Sequence, residues 1–107
     1  MSNRFMRIMV FFDLPVTTKS DRKTASDFRK YLIKDGYYMV QFSVYARVCN
    51  GYDAIEKHIN RLKLIAPNNG SVRVLTITEK QYESMHVITG KLLKEESPVS
   101  VYQMTIF

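Results

Sequence analysis

Few side chains in this 107-residue sequence are placed to do chemistry, and the best candidate is a lone acid, Asp13. It follows the run from Phe5 to Phe12, where only Arg7 interrupts the apolar residues, and Pro15 prevents further strand pairing two residues later. A carboxylate that ends a buried strand can hold a metal ion, cap a turn or begin the next helix. The residues around Asp13 leave these three interpretations open.

The other residue types that often do chemistry are few. His58 falls near the border of a predicted apolar helix face, and His86 lies toward the end of the chain, so we interpret both as structural or surface residues. The single cysteine, Cys49, excludes an internal disulfide, suggests a reducing compartment and fits a small core residue. No export signal and no apolar run of about 18 residues is present, so we expect a cytoplasmic protein without a membrane span.

The charge balance is more informative. Sixteen Lys and Arg against ten Asp and Glu give a net charge of +6, which suits a polyanionic partner or serves solubility alone. Many of these cations fall on one predicted helix, from Lys19 to Lys34, with Thr18 as its N-cap and Gly36 just beyond its end. One side of that helix is apolar, and six cations gather on the other: Lys19, Arg22, Lys23, Arg29, Lys30 and Lys34. A solvated helix usually mixes charges of both signs, so this stripe favours contact with phosphates.

The remaining patterns predict how these residues are positioned. Strand-like stretches predict three further strands over 37–41, 43–49 and 71–79, and an apolar arc at helical spacing predicts a further helix over 52–66. The resulting order is β-α-β-β-α-β, an α+β fold of the ferredoxin-like, split βαβ type. We expect one domain, with residues 1–80 as its core and 81–107 as an extension. The extension should hold a short helix capped by Gly90, a linker over 91–97 and a fifth strand over 99–107 that must pair with something.

This topology decides which groups are neighbours of Asp13. The first strand lies antiparallel to the third and fourth, so Asp13 should lie beside Phe42 and Ser43, while Glu79 falls at the opposite end of the sheet. One carboxylate makes a poor Mg²⁺ site, because the ion uses one or two carboxylates together with waters and phosphate oxygens. A two-fold dimer would supply a second Asp13. A metal ion at this position therefore requires a dimer.

Four segments together resemble one known family. They are Arg7 to Pro15, the basic helix with Arg22-Lys23 and Phe28-Arg29-Lys30, Gln41 to Tyr45, and Val74 to Gln81. In combination they are similar to the small CRISPR adaptation protein, CRISPR-associated protein two, in the form found beside type II systems. The likeness covers nearly the whole chain.

The resemblance implies a homodimer of ferredoxin-like protomers, in which the last strand of one protomer joins the sheet of the other. It implies Mg²⁺ or Mn²⁺ between the two Asp13 side chains, with Ser43 nearby. It also implies a heterohexameric complex in which the dimer bridges two dimers of the CRISPR integrase on a double-stranded prespacer. Four cations of the basic helix are then candidate contacts to the nucleic-acid backbone: Arg22, Lys23, Arg29 and Lys30.

Three functions compete. The first is a non-catalytic, sequence-independent adaptor on duplex DNA. The second is a metal-dependent endonuclease acting on RNA or double-stranded DNA, with Asp13 of both subunits as catalytic residues. The third is an RNA-binding stacking platform built from Tyr37, Tyr38 and Tyr45, but the third strand lacks that family's Gly-Phe pair, so core or interface packing explains these rings better. Arg7, inside a buried strand, either extends to solvent or pairs across a dimer interface.

Overall fold

A computed structural model describes residues 5–96 of the chain. Its strands are β1 (Phe5–Asp13), β2 (Tyr38–Gln41), β3 (Val44–Asn50) and β4 (Ser71–Thr78). Its helices are α1 (Lys19–Lys34), α2 (Tyr52–Ile65) and the short α3 (Glu79–Glu83), followed by a 3₁₀ turn at Lys94–Glu96. The order confirms the predicted α+β, ferredoxin-like fold. The fifth strand predicted over 99–107 lies outside the described residues.

The four strands form one antiparallel sheet in the order β2-β3-β1-β4. Strand β1 is central and pairs with β3 on one side and β4 on the other, as predicted. Its register places Asp13 opposite Ser71 and Met6 opposite Thr78. Asp13 and Thr78 therefore lie at opposite ends of the sheet.

One face of the sheet is covered by α1 and α2. Alternate residues of β1 point to it, and Ile8, Val10 and Phe12 pack there against Phe28 and Leu32 of α1. The Phe12 ring meets the Phe28 ring edge-on, with 5.2 Å between centroids. This contact ties the end of β1 to the helix that follows it.

Helix α1 has the predicted limits because its start is capped. The Thr18 hydroxyl accepts a hydrogen bond from the Asp21 amide at 3.0 Å, and the Asp21 carboxylate accepts one from the Thr18 amide at 3.2 Å. This capping box satisfies amides that the helix leaves unpaired. No helix within residues 5–96 is both long and apolar enough to cross a bilayer.

The other face of the sheet, which we call the second face, carries a buried ion pair. Arg7 is 0% exposed, and its guanidinium donates to the Glu79 carboxylate, including a bond of 3.1 Å from Nη2 to Oε2. It also donates to the Tyr38 hydroxyl and, at 2.7 Å, to the carbonyl of Glu95. The Tyr82 ring centroid lies 4.3 Å from the guanidinium carbon. Both expectations for Arg7 were wrong, because it pairs within its own chain.

The pairing of Arg7 with Glu79 is not expected from the sequence, because the pattern predicts that Glu79 ends a strand. Glu79 begins α3 instead of ending β4, and Thr78 caps the helix by accepting a hydrogen bond from the Gln81 amide at 3.0 Å. The spacing Thr78-x-x-Gln81 is the signal of a capping box that predicts this start. The helix ends at Glu83 with Ser84 as its cap, so the expected cap at Gly90 was also wrong.

The electrostatics of this cluster keep Arg7 charged. Burial alone would lower the pKa of Arg7, but its bonds to Glu79 and Tyr38 outweigh burial and raise that pKa. A buried, charged guanidinium is tolerated only where its donors find acceptors. Arg7 therefore holds α3 and the 3₁₀ turn against the second face.

We expect the variant Arg7→Met to lose about 3–5 kcal/mol of unfolding free energy, because it leaves the Glu79 carboxylate buried without its partner. The double variant Arg7→Met/Glu79→Leu removes both charges and should recover most of that loss. Urea unfolding of the two variants and the parent measures the difference. A matched control is Lys80→Met, which removes an exposed cation of the same helix and should change stability by less than about 0.5 kcal/mol. A loss below about 1 kcal/mol in Arg7→Met would contradict the prediction.

Candidate functional site

Asp13 is the last residue of β1, and its side chain is exposed. Side chains alternate along a strand, so Asp13 projects to the second face, on the same side as Met9 and Phe11. Helix α1 begins at Lys19 and is capped by Thr18, so the interpretation of Asp13 as the start of a helix is excluded. Asp13 is thus an accessible carboxylate at a fixed place in a sheet.

Two loops flank Asp13. On one side is the turn between β2 and β3, where the amide of Phe12 donates to the carbonyl of Ser43 at 3.0 Å. On the other side is the loop between α2 and β4, which leads into Ser71, the residue opposite Asp13. The backbone of Ser43 thus lies against Phe12, the residue before Asp13, while Glu79 lies at the other end of the sheet.

The donor set at Asp13 is small. Among residues 5–96, no group of three or more His, Cys, Asp or Glu side chains is placed to hold a metal ion. Mg²⁺ and Mn²⁺ do not require such a group, because they commonly use one or two carboxylates with waters and substrate phosphates. Asp13 is one accessible carboxylate of the kind that such a site uses.

The surface around Asp13 is apolar and only partly covered. Helix α3 and the 3₁₀ turn cover the end of the second face near Arg7, but Phe11 is 36% exposed and Leu75, opposite Met9, is 54% exposed. We call the uncovered part the open half; its members in β1, β3 and β4 are Phe11, Asp13, Val44, Arg73 and Leu75. Asp13 thus lies at the edge of an exposed surface that is apolar at Phe11 and Leu75 and basic at Arg73.

The six cations of α1 lie on the other side of the sheet. Five are exposed and Arg29 is partly buried. Lys23 pairs with Asp27 at 2.9 Å, and this hydrogen bond lowers the pKa of the Asp27 carboxyl. Arg22 donates to the backbone carbonyls of Val16 and Thr17 at 3.1 and 3.2 Å. The sequence interpretation treated the six as equivalent; within residues 5–96, Lys19, Arg29, Lys30 and Lys34 are the ones without such bonds, and of these four only the three lysines are exposed.

The structure confirms that His58 is a structural residue. It is buried, and its Nδ1 lies 3.0 Å from Oδ2 of Asp35, whose other carboxylate oxygen accepts from Arg61 at 2.9 Å. Burial lowers the pKa of His58 and outweighs the opposing effect of Asp35, which favours the neutral ring. His58 joins α2 to the end of α1 and is not available as a base near Asp13.

The remaining candidates are core residues. Tyr37 and Tyr45 are buried, and Tyr38 donates its hydroxyl to Tyr82 at 3.1 Å, so these rings do not form a platform for stacked bases. Cys49 is buried as expected, and burial raises the pKa of its thiol, so it does not act as a thiolate.

A groove of about 330 Å³ runs between the start of α1 and the loop that precedes β4. Leu14, Thr24 and Pro67 are among the residues that line it, and its one acid, Asp21, is engaged in capping α1. The groove supplies no group that complements Asp13.

Comparisons with known proteins agree with this arrangement. A family model described as CRISPR associated protein Cas2 matches residues 6–85. A CRISPR-associated endoribonuclease Cas2 from Acidovorax ebreus is 52% identical over 102 residues, which covers 95% of this chain and 100% of that protein. Proteins with the same description from Campylobacter jejuni and Ligilactobacillus salivarius are 42% and 47% identical, over 98% and 84% of this chain and 73% and 89% of their own.

Proposed function

This chain belongs to the CRISPR associated protein Cas2 family, and from that premise we propose that it is a dimeric adaptor for spacer acquisition in the cytoplasm. It binds double-stranded prespacer DNA without regard to sequence and bridges two dimers of the CRISPR integrase in a heterohexameric complex. The observation that carries the proposal is the exposed cationic face of α1, where Lys19, Lys30 and Lys34 form no ion pair among residues 5–96.

The chemistry of that face suits a phosphate backbone. Lysine ammonium groups attract phosphates as point charges, and such contacts carry little information about base sequence. Arg22, Lys23 and Arg29 flank the three lysines and extend the positive surface along the helix. An adaptor that accepts any prespacer needs this kind of contact.

The proposed dimer uses the second face. The open half exposes apolar side chains of Phe11 and Leu75, and one edge of β4 has no partner strand within residues 5–96. A second copy related by a two-fold axis covers the same surface on both chains. We further propose that residues 81–107 form an extension whose last strand pairs with the sheet of the partner.

The dimer supplies the second carboxylate for a metal ion. Asp13 of each chain would hold Mg²⁺ or Mn²⁺, and Ser43 lies beside it. When bound, the ion neutralises phosphate charge and lowers the pKa of a water molecule. The chain itself contributes the fixed position of Asp13 at the end of β1 and the apolar surface around it.

A second candidate is a metal-dependent endonuclease on RNA or double-stranded DNA, because the relatives are described as endoribonucleases and Asp13 is accessible. His58 is engaged with Asp35 and is therefore not a base for this reaction. We expect any cleavage to be slow and to depend wholly on the metal ion.

The adaptor proposal predicts weaker DNA binding when the three lysines of α1 are replaced by glutamine. The affinity for a duplex should fall by on the order of 10²-fold at about 0.1 M salt, because the replaced side chains no longer displace counterions. The slope of log K against log salt concentration should become shallower by about 0.9 for each phosphate that is no longer neutralised. Fluorescence anisotropy at several salt concentrations measures both quantities.

A control with the same change in net charge replaces three exposed lysines elsewhere: Lys57, Lys63 and Lys91. This variant should retain an affinity within about threefold of the parent, since the removed charges are not part of the cationic face of α1 and act on a duplex bound there only through a screened field. If both triple variants bind equally weakly, binding follows net charge and the cationic face of α1 is not the DNA contact.

The dimer proposal predicts that Leu75→Glu produces monomers. The substitution replaces an exposed apolar side chain of the open half with a carboxylate, and burying a charge in an interface costs several kcal/mol. Sedimentation velocity at micromolar concentration measures the oligomeric state. The matched control is Leu64→Glu on α2, where the side chain is already 86% exposed and the dimer should persist. A dimeric Leu75→Glu variant would place the interface elsewhere.

The two functions are separated by Asp13→Asn. If the nuclease is real, cleavage of RNA or DNA with Mg²⁺ should fall by on the order of 10²-fold, because the variant lacks a ligand of the ion that stabilises the transition state. Duplex binding should be retained, since α1 is unchanged. Asp53→Asn, which removes an exposed acid of α2, serves as the control. Equal cleavage by both variants and the parent would identify a contaminating nuclease.

A further inference from the structure

Gly70 is the last residue of the loop between α2 and β4, directly before Ser71, which lies opposite Asp13. Its φ angle is +90°, in the left-handed region. A Cβ atom on Gly70 would lie 2.5 Å from the carbonyl oxygen of Asp13 and 3.1 Å from the Cα of Leu14. These are backbone atoms, so a rotamer change cannot relieve the contact.

This close approach fixes the end of β1. A carbon and an oxygen atom that are not bonded do not approach to 2.5 Å, so any side chain at position 70 must push the Asp13–Leu14 peptide away or be pushed itself. On the other flank, the Phe12 amide is held by the Ser43 carbonyl at 3.0 Å. The backbone at Asp13 thus lies between two loops. A displacement caused by a side chain at position 70 therefore has to move the backbone of Asp13.

We propose that Gly70 is a positioning residue for Asp13. The missing side chain lets the α2–β4 loop contact the backbone of Asp13 directly, and this contact sets where the carboxylate leaves the strand. The inference rests on the proposed function, in which two Asp13 side chains share one ion. Ligand oxygens of Mg²⁺ lie within about 2.0–2.1 Å in near-octahedral geometry, so a shift of about half an ångström at the backbone matters.

The chain offers a matched control for the backbone strain. Gly51, before α2, has a φ angle of +87°, and a Cβ atom there would meet nothing within 4 Å. Gly51→Ala and Gly70→Ala therefore both force alanine into the left-handed region, but only Gly70→Ala crowds Asp13. The difference between the two variants isolates the contact with Asp13 from the general effect of strain.

Two measurements test the proposal on the full chain. Titration calorimetry with Mn²⁺ should show affinity at least about tenfold weaker for Gly70→Ala and within about twofold of the parent for Gly51→Ala, as is typical when the support of a metal ligand is removed. In metal-free protein, NMR should show displaced amide signals of Asp13 and Leu14 and a displaced carboxyl carbon signal of Asp13 in Gly70→Ala only. Sedimentation should show an unchanged oligomeric state in both.

The outcomes separate this inference from the proposed function. If the parent binds Mn²⁺ and Gly70→Ala binds it as Gly51→Ala does, Gly70 does not position Asp13. If the parent binds no Mn²⁺, the proposed metal site fails, and the NMR signals of Asp13 alone decide the positioning. If Gly70→Ala does not fold, the pair Gly70→Asn and Gly51→Asn replaces it, because asparagine tolerates the left-handed region and carries the same Cβ. Unshifted Asp13 signals in the folded variant would overturn the proposal.

Discussion

The buried pair of Arg7 and Glu79 governs how the second face of the sheet is divided. Because the guanidinium has to find acceptors for its donors, it binds Glu79 at the start of α3, the Tyr38 hydroxyl of β2 and the Glu95 carbonyl of the 3₁₀ turn. Those bonds draw the chain after β4 over one end of the face. The other end, with Asp13, stays open. A single buried cation thus determines which surface remains available to a partner.

The position of Asp13 follows from the register of β1 and from the loops at its end. Residues of β1 that face α1 pack in the core around Phe12, and a slip of one residue would exchange the two faces of the strand, so the register is strongly specified. Ser43 on one side and Gly70 on the other then hold the last peptide of the strand. The carboxylate is exposed, yet the backbone that carries it is closely held by its neighbours.

The element order, the limits of α1, the antiparallel pairing of β1 and the neighbours of Asp13 could be predicted from the sequence, because periodicity, capping residues and topology are encoded in local patterns. The partners of Arg7 could not be predicted, because the sequence pattern predicts a strand through Glu79, and a strand directs that side chain differently from the first turn of a helix. The ion pair of Lys23 and Asp27 shows a similar limit. Helical spacing predicts that Lys23 and Asp27 are neighbours, but listing only the cations of the helix overlooks this pair. The close approach of Gly70 depends on tertiary structure alone.

The geometry bears on the choice between adaptor and nuclease. The lysines of α1 face outward from the helix layer, whereas Asp13 lies on the second face, so the sheet and a helix about 10 Å across separate them. A duplex held along α1 is therefore held away from the Asp13 carboxylate of the same chain. Phosphate contacts tolerate shifts of about an ångström, because they act through charge, while metal-assisted cleavage does not. Duplex binding without cleavage is thus the simpler consequence of this fold, and cleavage would require a strand to reach the opposite side of the sheet, where Gly70 and Ser43 fix the position of Asp13.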